Sequence, residues 1–210
     1  MSHSHLSLSR TFAGLLCAAP LAAMAATADV TPLTTVSPVT AVATAAAVAG
    51  VADMAHPAAA LPAPARVFSA AATPELEAVM LAARRYAAFW NSGDPAYARQ
   101  ALAPDFTDRT LPEGREQGTA GPLQASRNFR AAVPDLSAEV TDMVAAGDRV
   151  VVRLHFTGHF TGQFGQIKGQ GQAIDFQAFD LYRIADGRIA DNWHLEDNLA
   201  LLRQMGVIRP

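Results

Sequence analysis

Apolar residues recur at helical spacing from Thr73 onward and switch to strict alternation after Pro134, so helices should come first and strands after. Thr73-Pro74-Glu75 reads as a helix start, with a capping hydroxyl, proline in the first turn and an acid at the positive end of the dipole. Leu76, Val79, Met80, Ala83, Ala87 and Trp90 form its stripe, and Asn91-Ser92-Gly93 stops it. Asp94-Pro95 starts a shorter helix carrying Tyr97 and Leu102 and ending before Pro104. Residues 105–114, DFTDRTLPEG, read as an irregular strand and loop. A third helix is predicted over about Gly121 to Val133, with Leu123, Ser126, Phe129 and Val133 buried.

The period-two region gives the sheet. Leu136, Ala138, Val140 and Asp142 alternate up to a Gly147-Asp148 turn. Val150, Val152, Leu154 and Phe156 mark one face of the next strand, and Val151, Arg153 and His155 the other. A Gly- and Gln-rich stretch, 157–172, reads as a strand end and hairpin loop. In the strand Ala173–Ile184, Ile174, Phe176, Ala178, Asp180 and Tyr182 share a side, opposite Gln177, Phe179 and Leu181. Asp186-Gly187 is a two-residue hairpin turn. The last strand then sets Ile189, Asp191, Trp193 and Leu195 against Ala190, Asn192, His194 and Glu196, with Asp197 where a short helix ending at Gly206 begins. Helices followed by a meandering antiparallel sheet predict an α+β domain, residues 73–210, with helices on one sheet face. Its length suffices for one modest core.

The N-terminal part differs in kind. Residues 1–28 hold a lone Arg10, an apolar run from Phe12 to Met24 and small residues at Ala23-Met24-Ala25, the layout of a cleavable secretory signal. Export to the periplasm or outside the cell is therefore expected, with no stable membrane association once the signal is removed. Residues 29–72 are Ala, Val, Thr and Pro with almost no charge, and read as a disordered linker. Cys17, the one cysteine of the 210 residues, falls in the signal, so the exported chain would have no thiol ligand. A formal net charge of −3 does not suggest a nucleic-acid partner.

Reactive side chains concentrate near the last hairpin. Asp197 is well placed as the N-cap of the closing helix. Asp180 alternates with Phe176 and Tyr182, so it either faces a pocket or pairs with an arginine. Trp90 and Trp193 read as core or as ligand platforms. His155 and His159 would stand roughly 13 Å apart on an extended strand, too far to share a metal ion, and none is expected. Phosphate-loop, nucleophile-elbow and HExxH spacings are absent.

The phrases FWNSGD, LAPDF, FRAAVPDL, AAGDRVVVRLHFTGHFTG, DLYRIADGRIADNWHLEDN and LALLRQMG, in that order, resemble the SnoaL-like polyketide cyclase family, whose members are also called ester cyclases. That family belongs to the nuclear transport factor 2-like superfamily. The resemblance covers about Pro74 to Ile208. It implies a cone, a strongly curved antiparallel sheet around helices with a pocket inside. It also implies a cofactor-free intramolecular aldol closure in which an aspartate late in the chain is the general acid and base. The motif Trp193-His194-Leu195-Glu196-Asp197 matches the family's Trp-x-x-x-Asp, which places that acid on Asp197, with His194 as the other candidate. Arg109 stands where relatives often have histidine, and it adds positive charge near the entrance.

Such chemistry needs a base for a proton α to a carbonyl and donors for the enolate oxygen. An apolar pocket raises a carboxylate's pKa toward neutrality, and Trp90, Phe129, Phe179 and Trp193 are candidates for its lining. Asp197 beside His194 and Glu196 would be the base, with Asp180 as a further acid, and Gln177, His155 or Arg109 would polarise the carbonyl. Convergence of Asp197, Asp180 and Gln177 on one solvent-connected cavity is the structural expectation of this reading. The alternatives are a non-catalytic exported domain binding a small hydrophobic ligand, or a scaffold that dimerises through the outer sheet face. A homodimer is expected, as the superfamily commonly uses that face.

Overall fold

In the computed structural model, residues 61–69 and 72–208 are described. The expected signal segment, and residues 29–60, 70 and 71 of the expected linker, lie outside the described residues. Helix α1 (Pro74–Ser92) begins where the capping pattern placed it, with the Thr73 hydroxyl accepting from the Leu76 amide. It stops at Gly93, whose φ of 76° is a left-handed conformation that costs glycine no Cβ clash. The buried face of α1 is broader than the predicted stripe: Tyr86, Ala88 and Phe89 are inside, and Trp90 is half-buried. Helix α2 (Pro95–Ala101) stops two residues short of its pattern, because Leu102 already opens a strand.

The other elements are β1 (Arg66–Ser69), β2 (Leu102–Asp108), α3 (Ala120–Ala132), β3 (Ser137–Ala146), β4 (Arg149–Phe160), the small hairpin β5 (Gln163–Phe164) and β6 (Ile167–Lys168), β7 (Gln172–Ala185), β8 (Arg188–Glu196) and α4 (Asn198–Gln204). Six strands form one sheet in the order β1-β3-β4-β7-β8-β2. The architecture is α+β with a sheet that is curved and not closed. Its four central strands are antiparallel as expected, but both edges are parallel, β1 on β3 and β2 on β8. Strand β1 arises from proline-punctuated sequence before Thr73, so sheet pairing starts upstream of the expected domain boundary. Arg84 of α1 ties that segment down through the carbonyls of Leu61 and Pro62. A four-residue strand has too little alternation to read from sequence; it forms because β3 offers it an open ladder.

One sheet face packs on the helices. Val150, Val152, Leu154 and Phe156 of β4 and Ile174, Phe176, Ala178 and Tyr182 of β7 are all buried there. Phe156 and Phe176 stack at 5.0 Å between ring centres, and Trp90 meets Phe156 edge-on. Two bulges reset the alternation. In β3 the register shifts between Val140 and Asp142, so Met143 and Ala145 turn inward. Asp142, predicted to share a face with Val140, instead points outward between Arg66 and Arg153. In β8 the shift at Ala190 puts Ile189 inside with Ile184, opposite in phase to the residues after it.

Candidate active site

Downstream of that bulge, β8 pairs Asn192 with Tyr182, His194 with Asp180 and Glu196 with Ala178. Directly paired residues of an antiparallel ladder point to the same face. Since Tyr182, Asp180 and Ala178 are buried, Asn192, His194 and Glu196 are brought to the inner side. Parallel pairing of β2 on β8 sets Asp108 beside Asn192. The chain then turns: the Thr110 amide donates to Asp108 Oδ1, and Thr110 Oγ1 accepts from the His194 amide. Gln117 closes the loop of residues 109–119 back onto Asp108, accepting from its amide and donating to its carbonyl.

These elements assemble a buried ionisable cluster. The His194 side chain, 6% exposed, bridges two carboxylates, with Nδ1 2.7 Å from Glu196 and Nε2 3.1 Å from both oxygens of Asp108. Burial alone would depress this imidazole; the hydrogen bonds to Asp108 and Glu196 outweigh it and push its pKa up to about 10. It is an imidazolium at neutral pH, and both its N–H groups are taken. Burial likewise works to raise Asp108 and Glu196, but His194 holds both below the ordinary carboxylate range.

Asp180 lies on the same face, 5% exposed, with its Oδ2 accepting from the Tyr182 hydroxyl at 2.7 Å. Burial pushes its pKa up to about 7, against the pull of Tyr182 and the His194 charge and with the help of Glu196 and Asp108. Tyr86 of α1 stacks edge-on against Tyr182 at 5.8 Å and joins the cluster to Trp90. Arg115, from the loop after β2, has a side chain only 19% exposed, and its guanidinium lies 3.9 Å from Asp108. Its charge acts on both Asp108 and Glu196 and helps to keep them ionised. The cluster thus holds a carboxyl that titrates near neutrality, a fixed imidazolium and a guanidinium beside Asp108. That combination can move a proton and stabilise a developing oxyanion.

The sequence pattern of the SnoaL-like polyketide cyclase family matches residues 80–205, more than half of the chain. The chain belongs to this family. Among solved structures it is similar to a candidate polyketide cyclase from Bacillus cereus ATCC 10987, with 38% identity, 71% of this chain and 96% of that one covered, and a TM-score of 0.65. TsrD from Streptomyces laurentii is 30% identical over 63% of this chain and 97% of its own, with a TM-score of 0.57. IdmH from Streptomyces antibioticus, a candidate polyketide cyclase, is 27% identical over 61% and 98%, with a TM-score of 0.56. No curated protein matches the chain.

Within this SnoaL-like fold, the residues singled out from sequence separate into two groups. Asp180 and His194 meet inside, and Trp90 and Phe129 stand half-buried beside the core aromatics, Phe129 5.9 Å from Phe176. Gln177, Phe179, His155 and Trp193 lie on the opposite, outer face. There His155 pairs with Asp175, Gln177 accepts from Arg153, and Phe179 is 50% exposed. Arg109 is also outside, pairing with Asp191 alongside Arg183. Asp197 is exposed, its Oδ1 accepting from the Ala200 amide as the N-cap of α4 and its own amide donating to the Gln177 carbonyl. Asp197, Asp180 and Gln177 therefore do not converge on one cavity. Strand alternation explains it: Gln177 is three residues from Asp180 and so faces the other way, while Asp197 has left the strand.

Glu196 was placed beside Asp197 and His194, whereas Asp108, Tyr182, Tyr86, Asn192 and Arg115 were not singled out as site residues. Alternation along β7 and β8 carries the signal for Tyr182, Asn192 and Glu196, which sit two residues from Asp180 or His194. Nothing local marks Asp108, which meets His194 across 86 residues of chain, or Arg115, which joins the cluster through Asp108.

Proposed function

We propose that the protein is a cofactor-free acid–base catalyst, a cyclase or isomerase acting on an enolisable, largely apolar carbonyl compound. The observation that carries this reading is the buried Asp180 carboxyl, poised near neutrality beside a His194 cation clamped by two carboxylates. Ionised Asp180 takes a proton from the carbon next to the carbonyl, and the electron pair moves onto the carbonyl oxygen. One negative charge passes from Asp180 to that oxygen while the net charge of the interior stays the same. The positive charges of Arg115 and His194 favour the enolate so formed. In ring closure the enolate carbon attacks a second carbonyl of the same molecule, and the new alkoxide recovers the proton from Asp180. The half-buried Trp90 and Phe129 suit the apolar part of such a compound.

Exchange of α-protons of 2-tetralone for deuterium, followed by NMR, tests the first step. Asp180→Asn should slow the protein-dependent exchange roughly 100-fold or more, the scale of one general base. Exchange unchanged in that variant would sink the reading.

The outer face supports a second role, self-association. Leu195 is 74% exposed, Phe179 50% and Trp193 36%, an apolar row on the outer sheet face that no helix covers among the described residues. Leu195→Lys should then lower the sedimentation coefficient of a dimer to that of a monomer, and an unchanged coefficient would remove this role. Export remains part of the proposal, on the layout of residues 1–28 alone.

A further inference from the structure

The ionisable cluster is closed to solvent: Asp180 is buried, and so are the side chains of His194 and Asp108. Whatever meets it must enter past something that moves. One cover is held by polar contacts alone. No residue from 109 to 119 is buried, so this loop has no apolar anchor. Strand β2 is a sheet edge, and the Gln117 carboxamide stands there in place of a neighbouring strand. It accepts from the Asp108 amide at 2.7 Å and donates to the Asp108 carbonyl at 2.9 Å, and the same Oε1 accepts from the Gly118 amide. Two residues before it, Arg115 reaches Asp108, and its charge is felt at Asp108 on β2, Glu196 on β8 and Tyr86 on α1. The guanidinium therefore sits where three elements meet. Gly114 and Gly118 flank the segment, both at φ 78°, a left-handed backbone that glycine enters and leaves without a Cβ clash. Gly121 of α3 lets the segment lie flat. A Cβ there would stand 2.2 Å from the Glu116 carbonyl oxygen and 3.3 Å from the Arg115 side chain.

We propose that Arg115–Gln117 is a gate over the ionisable cluster, hinged at Gly114 and Gly118, seated on Gly121 and latched by Gln117. Closed, it sets the Arg115 charge beside Asp108 and excludes water. Open, it uncovers the His194 ring while β2 and β8 stay paired. Opening needs no unfolding, because the groups released from the latch find water in exchange. The gate concerns access, so it stands apart from whether Asp180 transfers a proton.

Native-state hydrogen exchange by NMR on the full chain tests it. The Asp108 and Gly118 amides should exchange through one opening that urea does not change. Arg109, whose N–H donates to the Asn192 carbonyl on the β8 side, should exchange only with urea-dependent unfolding. Gln117→Ala removes three hydrogen bonds and should raise the opening roughly tenfold or more. Gly121→Ala touches none of these bonds but should raise it as well, because the added methyl unseats Glu116. Its melting temperature should stay within about 5 °C of wild type, since the segment swings aside and alanine suits a helix better than glycine. The neutral radical 4-hydroxy-TEMPO should relax the His194 ring protons more strongly in both variants, in proportion to the opening. Asp180→Asn should leave the opening as it is, which separates the gate from the proton-transfer step. Equal urea dependence at Asp108 and Arg109, or His194 ring relaxation unchanged in both variants, overturns the proposal. So does a Gly121→Ala chain that melts more than about 5 °C lower, which would make the segment part of the core.

Discussion

Three carboxyl groups of the inner cluster behave in opposite ways because their partners differ. Asp180 is buried with one neutral donor, whereas Glu196 and Asp108 each face a cation. The consequences for stability can be signed. Folded Asp180 keeps its proton up to about pH 7, while the unfolded chain loses it near 3.8, so this group makes stability fall as pH rises between those values. His194 extends the fall: its contribution is full below 6.5 and is lost as pH climbs through about 10. Urea midpoints should therefore decline between pH 6.5 and 9.5, and His194→Gln should flatten that decline. Asp180→Asn should gain stability relative to wild type at pH 8 compared with pH 4. Catalysis should rise through about pH 7, as Asp180 ionises, and fall toward 10, as His194 loses its charge. Asp197 belongs to a different class. Asp197→Ala should cost about 1 kcal/mol of stability through the lost cap of α4 and leave proton exchange unchanged.

Among the elements, the strands carried the more readable pattern. The inner row of β4 and the inner row of β7 follow plain alternation, and so do Asn192, His194 and Glu196 on β8. The two bulges were not legible, since an extra residue in a strand leaves no mark when both neighbours are compatible with either face. Asp142 was misplaced for that reason. The edge strands β1 and β2 were missed or left irregular because their partners are distant in sequence. Helix α1 was legible at its ends, where capping is local, but less so on its faces, because alanine fits both core and surface. Packing between elements is tight enough to test. A Cβ on Gly162 would come within 1.9 Å of the Ala131 carbonyl of α3, so Gly162→Ala should markedly lower the melting temperature. Phe156→Ala, removing a ring stacked on Phe176, should cost about 3–5 kcal/mol in chemical denaturation.

For the whole molecule, the fold and family were legible, while the site was legible only in part. His194 and Asp180 could be named from alternation, but Asp108 and Arg115 required the parallel pairing of β2 on β8, which joins the start of the domain to its end. The same long-range logic applies at the other edge. A chain beginning at Thr73 lacks β1 and the carbonyls that hold Arg84. It should melt below one beginning at Leu61, as measured by calorimetry. The bulge at Ala190 has a wider reach than its size suggests. Strand β8 is written in two interleaved sets, one polar and one mostly greasy, and the bulge acts as a frame marker that decides which set is read inward. Shifted by one residue, the same letters would bury Trp193 and Leu195 and expel His194 and Glu196. A proton-transfer centre and an oily pocket are thus one step of phase apart in this strand, with a single alanine keeping the frame.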